Sequence, residues 1–344
     1  MTRRDPVVNV DRRATIAATE KWLVAHGLPW FVEDKRAAVA GRLSRAPLLR
    51  VAGIALLGAT VVGVGVGWWR GEPSLGIAWG ETVFALIVAA WALRALYGAS
   101  VAGWAVRRTL GSLGLLFPLA SRALPMLLLF MTFLFINTEV WQVTSTLKGG
   151  VMWQAVLLFA AIAVGFLLVR LPEELEEYDA ELTAEGLVQA CRRTPVEAAA
   201  AEIELTDEAL EVHSGVVGLE RGNLVLVLLI AQAIQVLLLS VAVWGFFLVF
   251  GIVAVQDDVI KSWVGHEPHY AGGFGLVSRE LVQVSTFLAA FAGLYFTVYA
   301  VTDQTYRQQF FTAIRHELER AVSVRLVYRT LLEDSRKDGA PEQG

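Results

Sequence analysis

The chain has 344 residues, of which 56% are hydrophobic and 18% charged, and its mean hydropathy is +0.54. Ordinary soluble domains hold roughly 45–50% apolar and about 25% charged residues, so the composition excludes both a soluble globular chain and a disordered one. With 29 basic and 33 acidic residues the net charge is −4, and no global positive field points to nucleic acid. A single cysteine, Cys191, excludes an intrachain disulfide framework and a cysteine-cluster metal site.

A basic arm, 1–50, comes first. Asp11 stands where it would cap a helix that Gly27 ends before Pro29, and Lys35, Arg36, Arg42, Arg45 and Arg50 follow. Such a cluster beside a span can bind anionic lipid headgroups at about 1 kcal/mol per basic residue; the alternative is an orientation signal with no lipid selectivity. Residues 51–69 are 19 uncharged positions between Arg50 and Arg70, close to the about 20 that a helix needs to cross the hydrocarbon layer. This run is longer than the apolar core of a cleaved signal peptide and reads as the first span. Its Gly63, Gly65 and Gly67 form a close-packing face, within one subunit or between two.

Further apolar stretches cover 75–106, 109–141, 151–169, 223–255 and 281–301. Two of them, 151–169 and 281–301, are single spans. The stretches 75–106 and 223–255 are too long for one upright crossing and too short for two, so each reads as one long helix that tilts or projects. Pro118, Arg122 and Pro125 interrupt 109–141, which places a span at 123–141 and leaves 109–121 as a short cytosol-side segment. Six spans put both termini on one face. The basic residues divide 24 to 4 in favour of that face, with Arg94 left inside the membrane, and the positive-inside rule makes it the cytosolic one. Trp68, Trp69, Trp79, Trp141, Trp153 and Trp263 fall at predicted outer ends, where an indole is favoured.

Segment 170–222 carries 14 acidic residues against four basic, and Thr194-Pro195-Val196-Glu197 has the order that starts a helix. It is predicted to be an acidic cytosolic hairpin, either simply solvated or a dock for a basic protein partner. Beyond 302, Phe310, Ile314, Leu318, Ala321, Val324, Tyr328 and Leu331 recur at helical spacing, with Glu317 and Arg325 intruding on the stripe. The stripe is expected to pack on projecting helix ends or between subunits of a homo-oligomer, with the lipid surface as the alternative.

Candidate chemistry is sparse. His266-Glu267-Pro268-His269 lies downstream of Asp257 and Asp258, but a helical zinc motif needs histidines four apart on one face; these are three apart across a proline, and no metal is expected. Gly272-Gly273-Phe274-Gly275 lacks the lysine of a phosphate loop and reads as a turn. Cys191 has no histidine nearby in sequence and reads as a structural thiol. With no nucleophile elbow and no acid pair on an intramembrane helix face, neither an enzyme nor a bound cofactor is expected. The intramembrane polar residues are Glu81, Arg94, Glu139, Gln232 and Gln235. A charge at the bilayer centre costs about 2.5–3.5 kcal/mol on insertion scales, yet Glu81 and Arg94 can each snorkel to water and Glu139 sits near the outer edge. Gln232 and Gln235 share a face with polar neighbours Asn223 and Ser240, as interhelical glue or as the lining of a wet path. The two halves also repeat an order of span lengths, as inverted-repeat transporters do, with the Pro118 segment as the broken-helix candidate.

Arginine outnumbers lysine 24 to 5, and the tail segments VTDQTYRQQFF and ELERAVSVRLVYRTLL resemble those of multi-spanning integral membrane proteins of GC-rich actinobacteria. The resemblance covers the last third of the chain and implies location and helical architecture only. The expected fold is an all-α polytopic membrane protein with six spans. Two functions stay open: a channel or transporter whose path runs between the second and fifth spans past Arg94, Gln232 and Gln235, or a non-catalytic membrane module that recruits a cytosolic partner or builds an oligomer.

Overall fold

The computed structural model describes residues 12–111, 127–147, 150–178, 184–202, 216–270, 277–302 and 304–339. Asp11, Pro118, Arg122 and Pro125 lie outside them, as do the side chains of Phe310, Ile314, Glu317 and Leu318. In chain order the helices are α1 (Arg12–Ala25), a 3-10 turn (Pro29–Phe31), α2 (Glu33–Arg42), α3 (Arg45–Arg70), α4 (Pro73–Ala95), α5 (Gly98–Gly111), α6 (Leu127–Phe135) and α7 (Thr138–Thr146). There follow α8 (Val151–Tyr178), α9 (Ala184–Ala190), α10 (Glu197–Glu202), α11 (Leu219–Ala254), α12 (Asp257–Val264), α13 (Arg279–Thr302) and α14 (Gln304–Gly339). Among the described residues five helices, α3, α4, α8, α11 and α13, are long and apolar enough to cross a membrane, and the bent pair α6–α7 makes a sixth crossing if it acts as one. The protein is an all-α, multi-span membrane protein.

The spans form two packed groups. In the first, α3 lies along α4. The glycines explain how closely: a Cβ on Gly63 would stand 2.9 Å from the carbonyl oxygen of Gly76, and one on Gly80 would stand 2.9 Å from that of Ala59. Gly65 meets nothing within 4 Å, so the close-packing face is Gly63 and Gly67 against Gly76 and Gly80, inside one chain. In the second group α13 is central, packing on α11 and α8, while α7 and α12 close the end away from the chain termini. Large apolar side chains such as Leu57, Val64, Val169 and Val253 point outward, as lipid contact requires.

Two stretches expected to be straight are broken. Residues 75–106 divide at Leu96-Tyr97, because α4 ends at Ala95, Tyr97 adopts the left-handed region at φ 57°, and α5 starts again at Gly98. The carbonyls left open at the end of α4 are taken by the N-terminal arm: Trp30 Nε1 donates to Leu96 O at 2.9 Å and Arg42 Nη1 to Ala95 O at 2.7 Å. The span placed at 123–141 bends by 73° between α6 and α7. Asn137 Oδ1 accepts from the backbone N–H groups of Glu139 and Val140 and so opens a new helix, while Trp141 Nε1 donates to Phe135 O at 2.6 Å. The break thus satisfies its own backbone, which is the condition for non-helical chain at membrane depth. Trp141 is therefore buried, against Phe135 and Trp263, whereas Trp68, Trp69, Trp79 and Trp153 are exposed as a membrane belt would be. Residues 219–254, in contrast, form one unbroken helix.

At the end that carries α1 and α14, a layer of short helices and the ends of longer ones shares one apolar core. It joins Leu23 of α1, Phe31 of the turn, Val101 of α5, Leu171 of α8, Leu187 of α9, Leu228 of α11 and Val327 of α14. Tyr328 Oη donates to Glu20 at 2.9 Å and Arg336 to Glu33 at 2.7 Å, tying the tail to the arm. The described part of the acidic segment is not a free-standing hairpin, since Leu187, Cys191, Val196 and Ala200 bury their side chains in this core.

Candidate functional site

The first turn of α11 holds an ion cluster that the sequence reading missed. Glu220 is 2% exposed and faces three guanidinium groups: Arg325 Nε donates to Oε2 at 2.7 Å, Arg329 Nη2 to Oε1 at 3.2 Å, and Arg36 Nη1 also to Oε1. Its place at a helix N-terminus favours the carboxylate further. The Arg325 side chain is 1% exposed; burial pulls its pKa below the ordinary value, and Glu220 pulls it back up. One turn on, Asn223 Oδ1 accepts from Trp30 N at 2.9 Å and Asn223 Nδ2 donates to Gly27 O at 2.9 Å, fixing the chain after α1. Arg221 donates to Pro172 O at 3.1 Å and so reaches α8. The base of the longest span therefore holds α2, α8, α14 and the turn after α1 together. Arg325, which interrupts the apolar stripe in sequence, is the buried partner at its centre.

The candidate intramembrane polar residues do not converge. Arg94 lies with Arg42 at a groove of about 550 Å³ between α3 and α4, floored by Ile54, Ile87 and Trp91. Glu81 is exposed thirteen residues earlier on the same helix, about 20 Å away along its axis. Glu139 is exposed in the first turn of α7. Gln232 is buried on α11, and among the described residues neither its amide nor the Gln235 carbonyl oxygen finds a hydrogen-bond partner. Of the five basic residues set out as lipid contacts, Arg36 is bound to Glu220, Arg42 caps α4, and Lys35 stands 5.6 Å over the Tyr97 ring. Arg45 and Arg50 are exposed.

A second cavity lies elsewhere, in the middle of α8, α11 and α13. It measures about 390 Å³ and is lined by Phe159 and Ala160 of α8, Val236 and Ser240 of α11, and Ala290 and Gly293 of α13, among others. Among the described residues no ionisable side chain lines it. Its hydroxyls are largely spent on neighbours, Thr286 accepting from Trp244 Nε1 at 3.2 Å and Thr297 donating to Gly293 O at 2.8 Å.

Cys191 gives the terminal layer a built-in reporter. It is fully buried and burial pushes its thiol up to about 12, while only the thiolate is alkylated. In the native protein near pH 8, N-ethylmaleimide is expected to modify it at least a hundred times more slowly than in denaturant. A native rate matching the denatured one would show that this layer stands open.

No family model matches the chain, and no curated protein and no solved structure matches it either.

Proposed function

We propose that the protein is a carrier for a small apolar or weakly amphiphilic solute within the membrane, non-catalytic, with the cavity between α8, α11 and α13 as its binding place. The observation that carries this reading is the cavity itself: it lies midway along three spans, has the size of a small-molecule site, and its wall, among the described residues, carries no charge. The bent pair α6–α7 supports it, since it is a jointed element and its α7 packs on α13, one of the three helices that line the cavity. The 24 to 4 division of basic residues supports placing the terminal layer on the cytosolic side, and the resemblance of the tail supports a bacterial inner membrane. A photoreactive diazirine-bearing alkanol tests the reading in proteoliposomes. Saturable labelling of residues on α8, α11 and α13 is expected, reduced at least fivefold by Ala290→Phe, which fills the cavity. Labelling that rises without saturation and falls equally on α3 would overturn it. So would a potassium or proton leak abolished by Arg94→Ala or Gln235→Leu, which would favour a polar conduction path.

One observation favours a second reading, a membrane module anchored on anionic lipid. The groove between α3 and α4 sets two guanidinium groups, Arg42 and Arg94, above an apolar floor, the chemistry of a phospholipid headgroup over its chain.

A further inference from the structure

At the end of the bundle opposite the chain termini, α12 stops at Gly265 and the chain runs through His266, Glu267, Pro268 and His269 before pairing Tyr270 with Ser278 just ahead of α13. The two histidines are on an extended loop, so the helical spacing rule that argues against a metal does not govern them. Their partner comes from another element. Glu280, in the first turn of α13, is 3% exposed, and its Oε1 stands 2.8 Å from His269 Nδ1, while its Oε2 accepts from His269 N at 3.0 Å. A nitrogen of His266 joins them, since one ligand atom from each of His266, His269 and Glu280 lies within 4.8 Å of the other two.

We propose that His266, His269 and Glu280 form a binding site for a borderline divalent transition-metal ion, with Zn²⁺ as the natural probe. Two imidazoles and one carboxylate are the donor set that such ions take, leaving a fourth position to water; an all-oxygen site would suit Mg²⁺ or Ca²⁺ instead. The geometry is close to what is needed. Zinc–ligand bonds of about 2.0–2.1 Å in a tetrahedron put donor atoms roughly 3.4 Å apart, so the exposed His266 ring must close by about 1 Å while the His269–Glu280 hydrogen bond, at 2.8 Å, opens by about half that and its proton is displaced by the ion. Its Nδ1 is 2.9 Å from Glu267 O, an outer contact of the kind that leaves Nε2 as the nitrogen available to an ion. The loop is held on both sides, by Tyr270 Oη on Asp257 and by the Lys261–Glu267 ion pair. Both histidines are exposed, so their substitution leaves the packed core intact.

The test is titration calorimetry of the full chain in detergent, stripped with EDTA, with ZnCl₂ and separately with MgCl₂. One Zn²⁺ per chain is expected, with affinity at least tenfold lower in His266→Ala and in His269→Ala, unchanged in His26→Ala, and with no heat from Mg²⁺. Glu280→Gln is expected to lower it as well, and because Glu280 is buried, a thermal-unfolding scan of that variant without metal accompanies the titration. Absence of Zn²⁺ binding, or equal binding by the wild type and the His266→Ala/His269→Ala double variant, would overturn the proposal.

Discussion

Substituting Glu220 by alanine is expected to cost about 3–5 kcal/mol, the range for removing one partner of a buried ion pair. The reason is what stays behind. Arg325 is as buried as Glu220, and Arg329 and Arg36 approach the same carboxylate, so the variant removes the one carboxylate that three guanidinium groups share. Two measurements follow the loss: the thermal midpoint in detergent should fall, and alkylation of Cys191, which sits in the same apolar core as Val327, should accelerate by two orders of magnitude or more. Charge removal and volume loss separate in the double variant Glu220→Leu/Arg325→Met, where both ions give way to apolar groups of similar size; such replacements are often neutral or stabilising. It should therefore recover most of the stability that Glu220→Ala loses. Arg329 is 40% exposed, and Arg329→Ala should cost less than about 1 kcal/mol, as solvent-screened pairs do. A Glu220→Ala protein whose Cys191 is as protected as in the wild type would show that the cluster does not hold the layer together.

The parts of this architecture that are legible in the sequence are those decided locally. The runs 151–169 and 223–254 carry no charged residue, and in hydrocarbon a helix is the only way such a segment can satisfy its own backbone. The break at Ile136-Asn137 also had a local signal, since Asn137-Thr138-Glu139 offers a capping residue followed by an acid in the first turn. The break after Ala95 had none of that strength. Its open carbonyls are met by Trp30 and Arg42, which lie 66 and 53 residues away along the chain, and nothing in the local pattern announces a partner at that distance. The same holds for the basic arm. Read alone, Arg36 and Arg42 are free charges beside a membrane; folded, one binds Glu220, 184 residues on, and the other caps α4. Arg325 shows the converse. A charge in the apolar register of an amphipathic helix reads as an imperfection, yet it marks the position where an opposite buried charge has to be sought, and the acid at the base of the longest apolar helix was the candidate. The central cavity left no signal, because its wall is assembled from ordinary aliphatic, aromatic and small residues of three separate helices, none of which looks unusual in its own span.

Gly76→Leu is expected to open the α3–α4 hairpin, while Gly65→Leu, in the adjoining helix, is expected to be tolerated. The two differ only in what a side chain would meet. At Gly76 a Cβ would overlap Gly63 O and stand 2.9 Å from Gly67 Cα, and both are backbone atoms of α3 that no rotamer change can move; at Gly65 a Cβ meets nothing within 4 Å. Overpacking typically costs about 1–3 kcal/mol, and here the cost falls at the upper end or beyond because the helices must separate as rigid bodies. Separation also sacrifices the contact that holds α3, whose single buried position among its described residues is Ala55. Between membrane helices the close fit of small residues supplies the attraction, since lipid tails are as apolar as the side chains they replace. The expected result is a lower yield of monodisperse protein and a lower thermal midpoint for Gly76→Leu, both near wild type for Gly65→Leu, with Cys191 still protected in both because the terminal layer is built from other helices. Equal behaviour of the two variants would mean that α3 is held by something other than this glycine seam.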